Sequence, residues 1–265
     1  MVKYTLQNTD TVNPPTFAVS FSENTLQDRA KNLAEQLVLP LISVTEACHF
    51  TFVLLLTENG LHLQMPQHPE MKDLKVDFLT GEMGYRLRHL KNQTQLLAKA
   101  IKLTPPNTTV LDLTAGLGHD GYVLARLGYN VTLLERSPIV AALLRDGLKR
   151  AATVQSNTHV TLIEEDAHTY LIAIKEGGLK PNVIYIDPMY PTHHKKALVK
   201  KEMRILRQIV GADTDAETLL PLAIACAQQR VVVKRPRWAD PFAKQAPHHC
   251  LFGKQHRLDI YLKIN

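Results

Sequence analysis

Val110-Leu-Asp-Leu-Thr-Ala-Gly-Leu-Gly-His-Asp120 is a short apolar run that ends in a carboxylate, Asp112, and passes directly into a turn carrying Gly116 and Gly118. An amphipathic segment, Tyr122-Val-Leu-Ala-Arg-Leu127, follows. The pattern reads as strand, tight glycine turn and helix. Such a corner sets backbone N–H groups and a helix N-terminus beside an acidic side chain, and it suits a nucleoside-like ligand.

Working outward, strand and helix signals alternate after the turn. Asn130-Val-Thr-Leu-Leu-Glu135 reads as a strand ending in an acid, and Ser137-Pro138 as a helix cap with proline at the first helical position. His159–Ile163, Asn182–Asp187, Arg230–Lys234 and Leu258–Leu262 are the further strand candidates. Alternation of this kind predicts an α/β class fold with a doubly wound, mainly parallel sheet. Residues 1–78 differ and read as a small α+β N-terminal unit, with 79–265 as the larger domain. In the small unit, Ser22–Leu37 has helical spacing, and a hairpin is expected where Phe50–Leu56 meets Leu61–Met65 across Asn59-Gly60. Met65–Lys75 reads as a loop. Helical periodicity returns over Thr80–Leu103, stopped by Pro105-Pro106, with Arg86, Arg88, His89 and Lys91 forming either a solvated face or an RNA-phosphate contact.

The formal charge of +6 and the sequence pI near 9.2 favour an acidic partner, nucleic acid first. Cys48, Cys226 and Cys250 are odd in number and widely spaced, which argues for a reducing compartment and against a disulfide framework or structural zinc. The N-terminus lacks a signal-peptide core and no apolar run has membrane-span length, so a cytoplasmic protein without membrane partner is expected. The histidines, including His193-His194 and His248-His249, lack the spacing of a zinc site, and no metal is expected. Cys226 reads as core.

Gly116, Gly118 and Gly121 also satisfy the dinucleotide spacing, with Glu135 ending the next strand. The competing ligand is S-adenosylmethionine, with Asp112 facing its methionine end and Glu135 accepting both ribose hydroxyls. Asp112 and Asp120 would repel a pyrophosphate but welcome a sulfonium cation, which favours the methyl donor. Asp187-Pro-Met-Tyr-Pro191 then ends the fourth strand. An exocyclic amino group on a nucleobase is a poor nucleophile and needs acceptors for its hydrogens. The Asp187 carboxylate and Pro188 carbonyl could supply these, with Tyr190 as a stacking face for an unstacked base. The following run, His193–Arg207, can align Lys196, Lys200, Arg204 and Arg207 along one helix face, where RNA phosphates are expected to pass. Lys234-Arg-Pro-Arg-Trp238 reads as an extension of that patch, with Trp238 equally compatible with core packing. A nicotinamide oxidoreductase, an adenine-N6 methyltransferase and a non-catalytic RNA-binding module are the rival readings.

The chain resembles the ribosomal RNA small subunit methyltransferase J family. The matching strings are Asp112–Asp120, Leu134–Leu144, Tyr185–Pro191, Lys195–Arg204, Arg230–Pro236 and Gly253–Tyr261, dense from Val76 to Tyr261 and looser over the first 75 residues. The resemblance implies a class I S-adenosylmethionine-dependent methyltransferase with a Rossmann-like, seven-stranded sheet and an antiparallel strand near its end. It also implies methylation of the exocyclic N2 of one guanine in 16S ribosomal RNA, free or in the small ribosomal subunit. Donor contacts are implied at His119, Asp120, Glu135, Arg136, Asp166, Ala167 and Asp187, beside the Asp112, Gly116 and Gly118 of the turn. The family often carries arginine at the position of His119 and a serine pair at Asp166-Ala167. Together these readings give Asp187, Pro188 and Tyr190 as the catalytic set, and Lys195, Lys196, Lys200, Lys201, Arg204 and Arg207 as RNA contacts.

Overall fold

The computed structural model describes residues 16–90, 95–102, 104, 106–189, 201–211 and 216–263, and the side chains of all of these except 95 and 201–204. The chain divides into two compact units, Met1–Val76 with His193–Gly211 and Asp77–Thr192 with Ala212–Asn265. The division differs from a single cut at residue 78 in assigning His193–Gly211 to the first unit.

In the first unit, strands β1 (Phe17–Phe21), β2 (Phe52–Thr57) and β3 (Gly60–Gln64) form a sheet in that order. β2 and β3 make the expected hairpin, with Thr57 opposite Gly60, which takes φ 118°. β1 runs parallel to β2 in register from Phe17 opposite Phe52. Helix α1 (Gln27–Leu37) buries Ala30 and Ala34, and a small core gathers Ala18, Ile42 and Val53.

The second unit opens with helices α2 (Gly81–Arg88) and α3 (Gln95–Ile101), where the sequence suggested one helical stretch. A seven-stranded sheet follows, built from β4 (Thr109–Asp112), β5 (Asn130–Leu134), β6 (Val160–Ile163), β7 (Val183–Ile186), β8 (Arg230–Pro236), β9 (His249–Phe252) and β10 (His256–Leu262). Its order is β6-β5-β4-β7-β8-β10-β9. β6, β5, β4, β7 and β8 are mutually parallel, and β10 is antiparallel to both its neighbours. β7 is buried along its whole length, as its unbroken Val-Ile-Tyr-Ile run requires of a central parallel strand. Helices α4 (His119–Arg126), α5 (Pro138–Ala152), α6 (Ala167–Lys175), α7 (Lys201–Val210) and α8 (Leu219–Cys226) complete the helical set among the described residues; α7 belongs to the first unit.

α5 shows the local logic. Ser137 caps it by accepting from the Val140 N–H, and Pro138 occupies the first turn. Ile139, Val140, Leu143 and Leu144 are buried. Each such side chain contributes about 1.5–3 kcal/mol, against about 1 kcal/mol for the cap, so packing rather than capping holds the helix. Cys226 is fully buried in α8, as read from its apolar neighbours. Strand order reverses between β4 and β7, which are adjacent in the sheet but not in sequence. Ligands of open α/β sheets bind at the carboxyl ends of the strands at such a reversal, and there Asp112 and Asp187 meet.

Candidate active site

The turn after β4 is stitched to its neighbours on both sides. Leu113 N donates to Tyr185 O (3.0 Å), Ala115 N to Leu134 O (3.0 Å), and Asp187 N to the Thr114 hydroxyl (2.7 Å). Glu135, buried at the end of β5, accepts from Gly116 N at 2.9 Å through Oε2 and from Ser137 N at 2.8 Å through Oε1. Its carboxylate is therefore fixed against the glycine turn. The glycines have distinct parts. Gly118 caps α4 with φ 73°, and a Cβ there would lie 2.6 Å from Leu144 Cδ1; at Gly121 a Cβ would collide with Leu133 Cδ2. Gly116, at φ 54°, has nothing within 4 Å of where its Cβ would point. The crest of the turn thus keeps open space while its flanks are packed, the arrangement a ligand lying across Gly116 needs.

Beside the turn lies an ion network. Lys234 in β8 donates to Asp120 Oδ2 and to Asp187 Oδ2, both at 2.7 Å. Arg86 in α2 donates to Asp120 Oδ1 (3.0 Å), and the Tyr185 hydroxyl to Asp120 Oδ2 (2.9 Å). Burial works against ionising Asp120, yet Lys234 and Arg86 hold it well below the usual carboxylate range. Burial would also lower Lys234, but Asp187 and Asp120 raise it well above its ordinary value, so it stays charged. Burial and the surrounding carboxylates push the Tyr185 phenol up, and it stays a donor. Burial raises Asp187 against the pull of Lys234. The Asp187 carboxylate is 32% exposed, and its Oδ1 has no partner among the described residues. That oxygen is the open acceptor of the cluster.

Asp112 is different. It is 2% exposed, and Thr114 N donates to its Oδ1 at 3.0 Å. Burial pushes its carboxyl up to about 8, with Asp120 and Asp187 adding to the rise. No cation pairs with it among the described residues, so it lacks the counter-charge that Asp120 has. A ligand carrying positive charge would stabilise its ionised form, and a pyrophosphate would not. Neither acid repels an anion as the sequence suggests: Asp120 is neutralised by Lys234 and Arg86, and Asp112 is mostly protonated near neutral pH until a cationic ligand favours its ionised form.

Lys234 was expected among the RNA contacts at the end of β8. It turns inward instead, because a lysine at the end of a buried valine run needs anions, and Asp187 is its neighbour in the β7–β8 register after Ile186 opposite Val233. Arg235 is also buried, over the Phe242 ring, and of that run Arg237 and Trp238 stay exposed. Arg86 is likewise a network member rather than part of a solvated face. Asp166 caps α6, accepting from His168 N (2.9 Å) and Thr169 N (3.2 Å) through Oδ1; its Oδ2 has no partner among the described residues. Ala167 opens that helix, Arg136 is exposed, and His119 begins α4. Pro188 is buried directly after Asp187. Tyr190, Lys195, Lys196 and Lys200 lie outside the described residues, as do the side chains of Lys201 and Arg204, while Arg207 is half-buried on α7. Among the described residues no cluster of three or more histidine, cysteine or acidic side chains is placed to hold a metal ion, and no helix is long and apolar enough to cross a membrane.

Residues 32–263 match a family described as putative SAM-dependent methyltransferase. The chain is 45% identical over 250 residues to a ribosomal RNA small subunit methyltransferase J from Coxiella burnetii, covering 93% of this chain and 97% of that protein. It is 43% identical to the protein of the same name from Thioalkalivibrio sulfidiphilus, covering 92% and 97%. A solved SAM-dependent methyltransferase from Neisseria gonorrhoeae superposes with a TM-score of 0.72 at 33% identity, covering 94% of this chain and 96% of the other.

Proposed function

The chain belongs to the SAM-dependent methyltransferases, within the family of ribosomal RNA small subunit methyltransferase J, and from that membership we propose that it methylates the exocyclic N2 of a guanine in 16S ribosomal RNA. S-adenosylmethionine, when bound, supplies an electrophilic methyl group on a sulfonium. The work left to the protein is to hold that donor, turn the amino group towards it and accept the protons. Asp112 and the open crest at Gly116 receive the methionine part, Glu135 the ribose, and Asp166 the adenine amino group. His119, Arg136 and Ala167 flank these positions. Asp187 Oδ1 and the Pro188 carbonyl accept the amino hydrogens, so that the nitrogen lone pair leaves the ring's conjugation and faces the methyl group. Alignment supplies most of the acceleration, because the methyl group is already activated.

The observation that carries this reading is the asymmetry of Asp187. Lys234 holds Oδ2 at 2.7 Å, while Oδ1 has no partner among the described residues, at the strand end next to Asp112. Tyr190 completes the base site as a stacking face. Lys195, Lys196, Lys200, Lys201, Arg204 and Arg207 would follow the RNA backbone. The reaction belongs in the cytoplasm, where this RNA is assembled into subunits. Transfer of labelled methyl from S-adenosylmethionine to small-subunit ribosomal RNA lacking the modification, followed by nucleoside analysis, tests the reading. N2-methylguanosine is the expected product, and label on adenosine, on protein or nowhere overturns it.

Asp112 adds a pH dependence. With its carboxyl at about 8 before the donor arrives, the side chain is mostly protonated at pH 6–7, and a cationic ligand favours the ionised form. Donor affinity is therefore expected to rise with pH, by up to about tenfold per unit below pH 8, and to level off above it. Titration calorimetry in buffers of different ionisation heat should register a proton released on binding at pH 7. The Asp112→Asn variant should bind more weakly with a flat profile.

A further inference from the structure

We propose that Trp238 and Phe252, with Arg237 against the Phe252 ring, form a stacking platform for unpaired nucleobases of the RNA that flanks the target guanine. The inference rests on the RNA-substrate reading above and extends it to a surface separate from the Asp187 loop. Three observations support it.

First, the aromatic rings face solvent. Trp238 is 61% and Phe252 57% exposed, whereas most large aromatic side chains of the second unit, such as Tyr122, Tyr185 and Tyr261, are buried. Second, the Phe252 ring and the backbone just before Trp238 are held in place. Arg237 Nη1 donates to Gly253 O (3.2 Å), its guanidinium lies 5.7 Å from the Phe252 ring centroid, and Arg257 Nη1 donates to Arg237 O (3.1 Å). Arg257 is in turn anchored by a buried two-point pair with Asp259, at 2.7 and 3.1 Å. The platform is thus prearranged, and binding need not order a loose loop. Third, its position follows from topology. β9 and β8 run in the same direction because each is antiparallel to β10, so the ends of both strands lie on the carboxyl edge with Asp187. At about 4.8 Å between strands, β9 lies about 15 Å from β7, a gap that a few nucleotides span.

Charge selects the occupant. Residues 236–256 contain one acid, Asp240, against Arg237, Lys244 and Lys254. A basic, aromatic, solvent-facing surface beside a nucleobase site matches single-stranded RNA, where stacking on aromatic rings tolerates any base and arginine assists.

Trp238 is the only tryptophan in the chain, so its fluorescence reports on the platform directly. A guanosine-containing single-stranded ribo-oligonucleotide should quench that fluorescence. Trp238→Ala and Phe252→Ala should each raise the KM for unmodified small-subunit ribosomal RNA by about tenfold, with S-adenosylmethionine affinity unchanged. Trp238→Phe should keep most of the wild-type KM, since a base stacks on either aromatic face. Both side chains are exposed, so the variants are expected to fold. The proposal is overturned if wild-type enzyme methylates the RNA but the oligonucleotide leaves its fluorescence unchanged. It is also overturned if the alanine variants stay within about twofold of the wild-type KM, or if Trp238→Phe is as impaired as Trp238→Ala. Quenching by assembled subunits but not by naked RNA would reassign the surface to a ribosomal protein. Absence of methyl transfer by the wild type, with quenching intact, would overturn the functional reading and leave the platform standing.

Discussion

Replacing Lys234 by methionine should destabilise the protein by about 3–5 kcal/mol, the usual cost of removing one partner from a buried ion pair. Methionine approximates the length of the stem but cannot answer Asp120 and Asp187, each 2.7 Å from the ammonium. Asp120 keeps Arg86 and Tyr185, so the uncompensated charge falls mainly on Asp187. That carboxyl, already raised by burial, would rise further once the lysine no longer lowers it. A carboxyl whose folded-state pKa exceeds its unfolded value of about 3.9 leaves the fold stable at low pH and weakens it as pH rises. The deficit against wild type should therefore be larger at pH 8 than at pH 5. Thermal unfolding followed by circular dichroism would read a loss of about 2–4 °C per kcal/mol for a unit of this size. Adding Asp187→Asn to the methionine variant should restore part of the loss, since the orphaned charge is then removed. A methionine variant within about 0.5 kcal/mol of wild type at pH 8 would show that the lysine is not the keystone of the network.

The second large effect is kinetic. Asp187→Ala removes the open acceptor oxygen, and kcat for methyl transfer should fall by about 10²–10⁴-fold, the range for losing a group that assists proton movement in the transition state. Asp187→Asn gives its single oxygen to Lys234 and leaves an NH2 where the open acceptor stood, so its kcat should fall comparably. Single-turnover assays with saturating RNA and donor separate the step itself from binding. If Asp187→Ala instead raises only the KM for S-adenosylmethionine and leaves kcat intact, the residue holds the donor and does not orient the base.

Local signals carried most of the sheet into view. β4, β5, β7 and α5 are legible because a central parallel strand is apolar throughout and Ser137-Pro138 announces a helix start. β1 and β9 were missed for different reasons. β1 pairs with β2, whose residues lie 35 positions away, so no turn signal marks it. β9 is an edge strand of only four residues, His-Cys-Leu-Phe, half-buried or exposed and without an alternating pattern. The site shows the same contrast. Asp112, Glu135 and Asp187 sit at strand ends, where period and turn chemistry point to them. Lys234 and Arg86 act on an acid 114 and 34 residues away, and along the chain each looks like surface charge. One clue was present: a lysine directly after Val231-Val232-Val233 could not stay unpaired. The neutralisation of Asp120 by Lys234 and Arg86 is equally invisible along the chain, since a carboxylate's effective charge depends on neighbours that only the fold supplies.

The placement of β10 between β8 and β9 bears on how the enzyme is born. Both of its hydrogen-bonding neighbours precede it in the chain, so during translation the valine-rich border of β8 stays bare until residues 256–262 have left the exit tunnel. A bare apolar border of this kind is a template for pairing with other nascent chains. Vectorial synthesis thus leaves a short interval of exposure, and a chain stalled before residue 256 would persist in that aggregation-prone state.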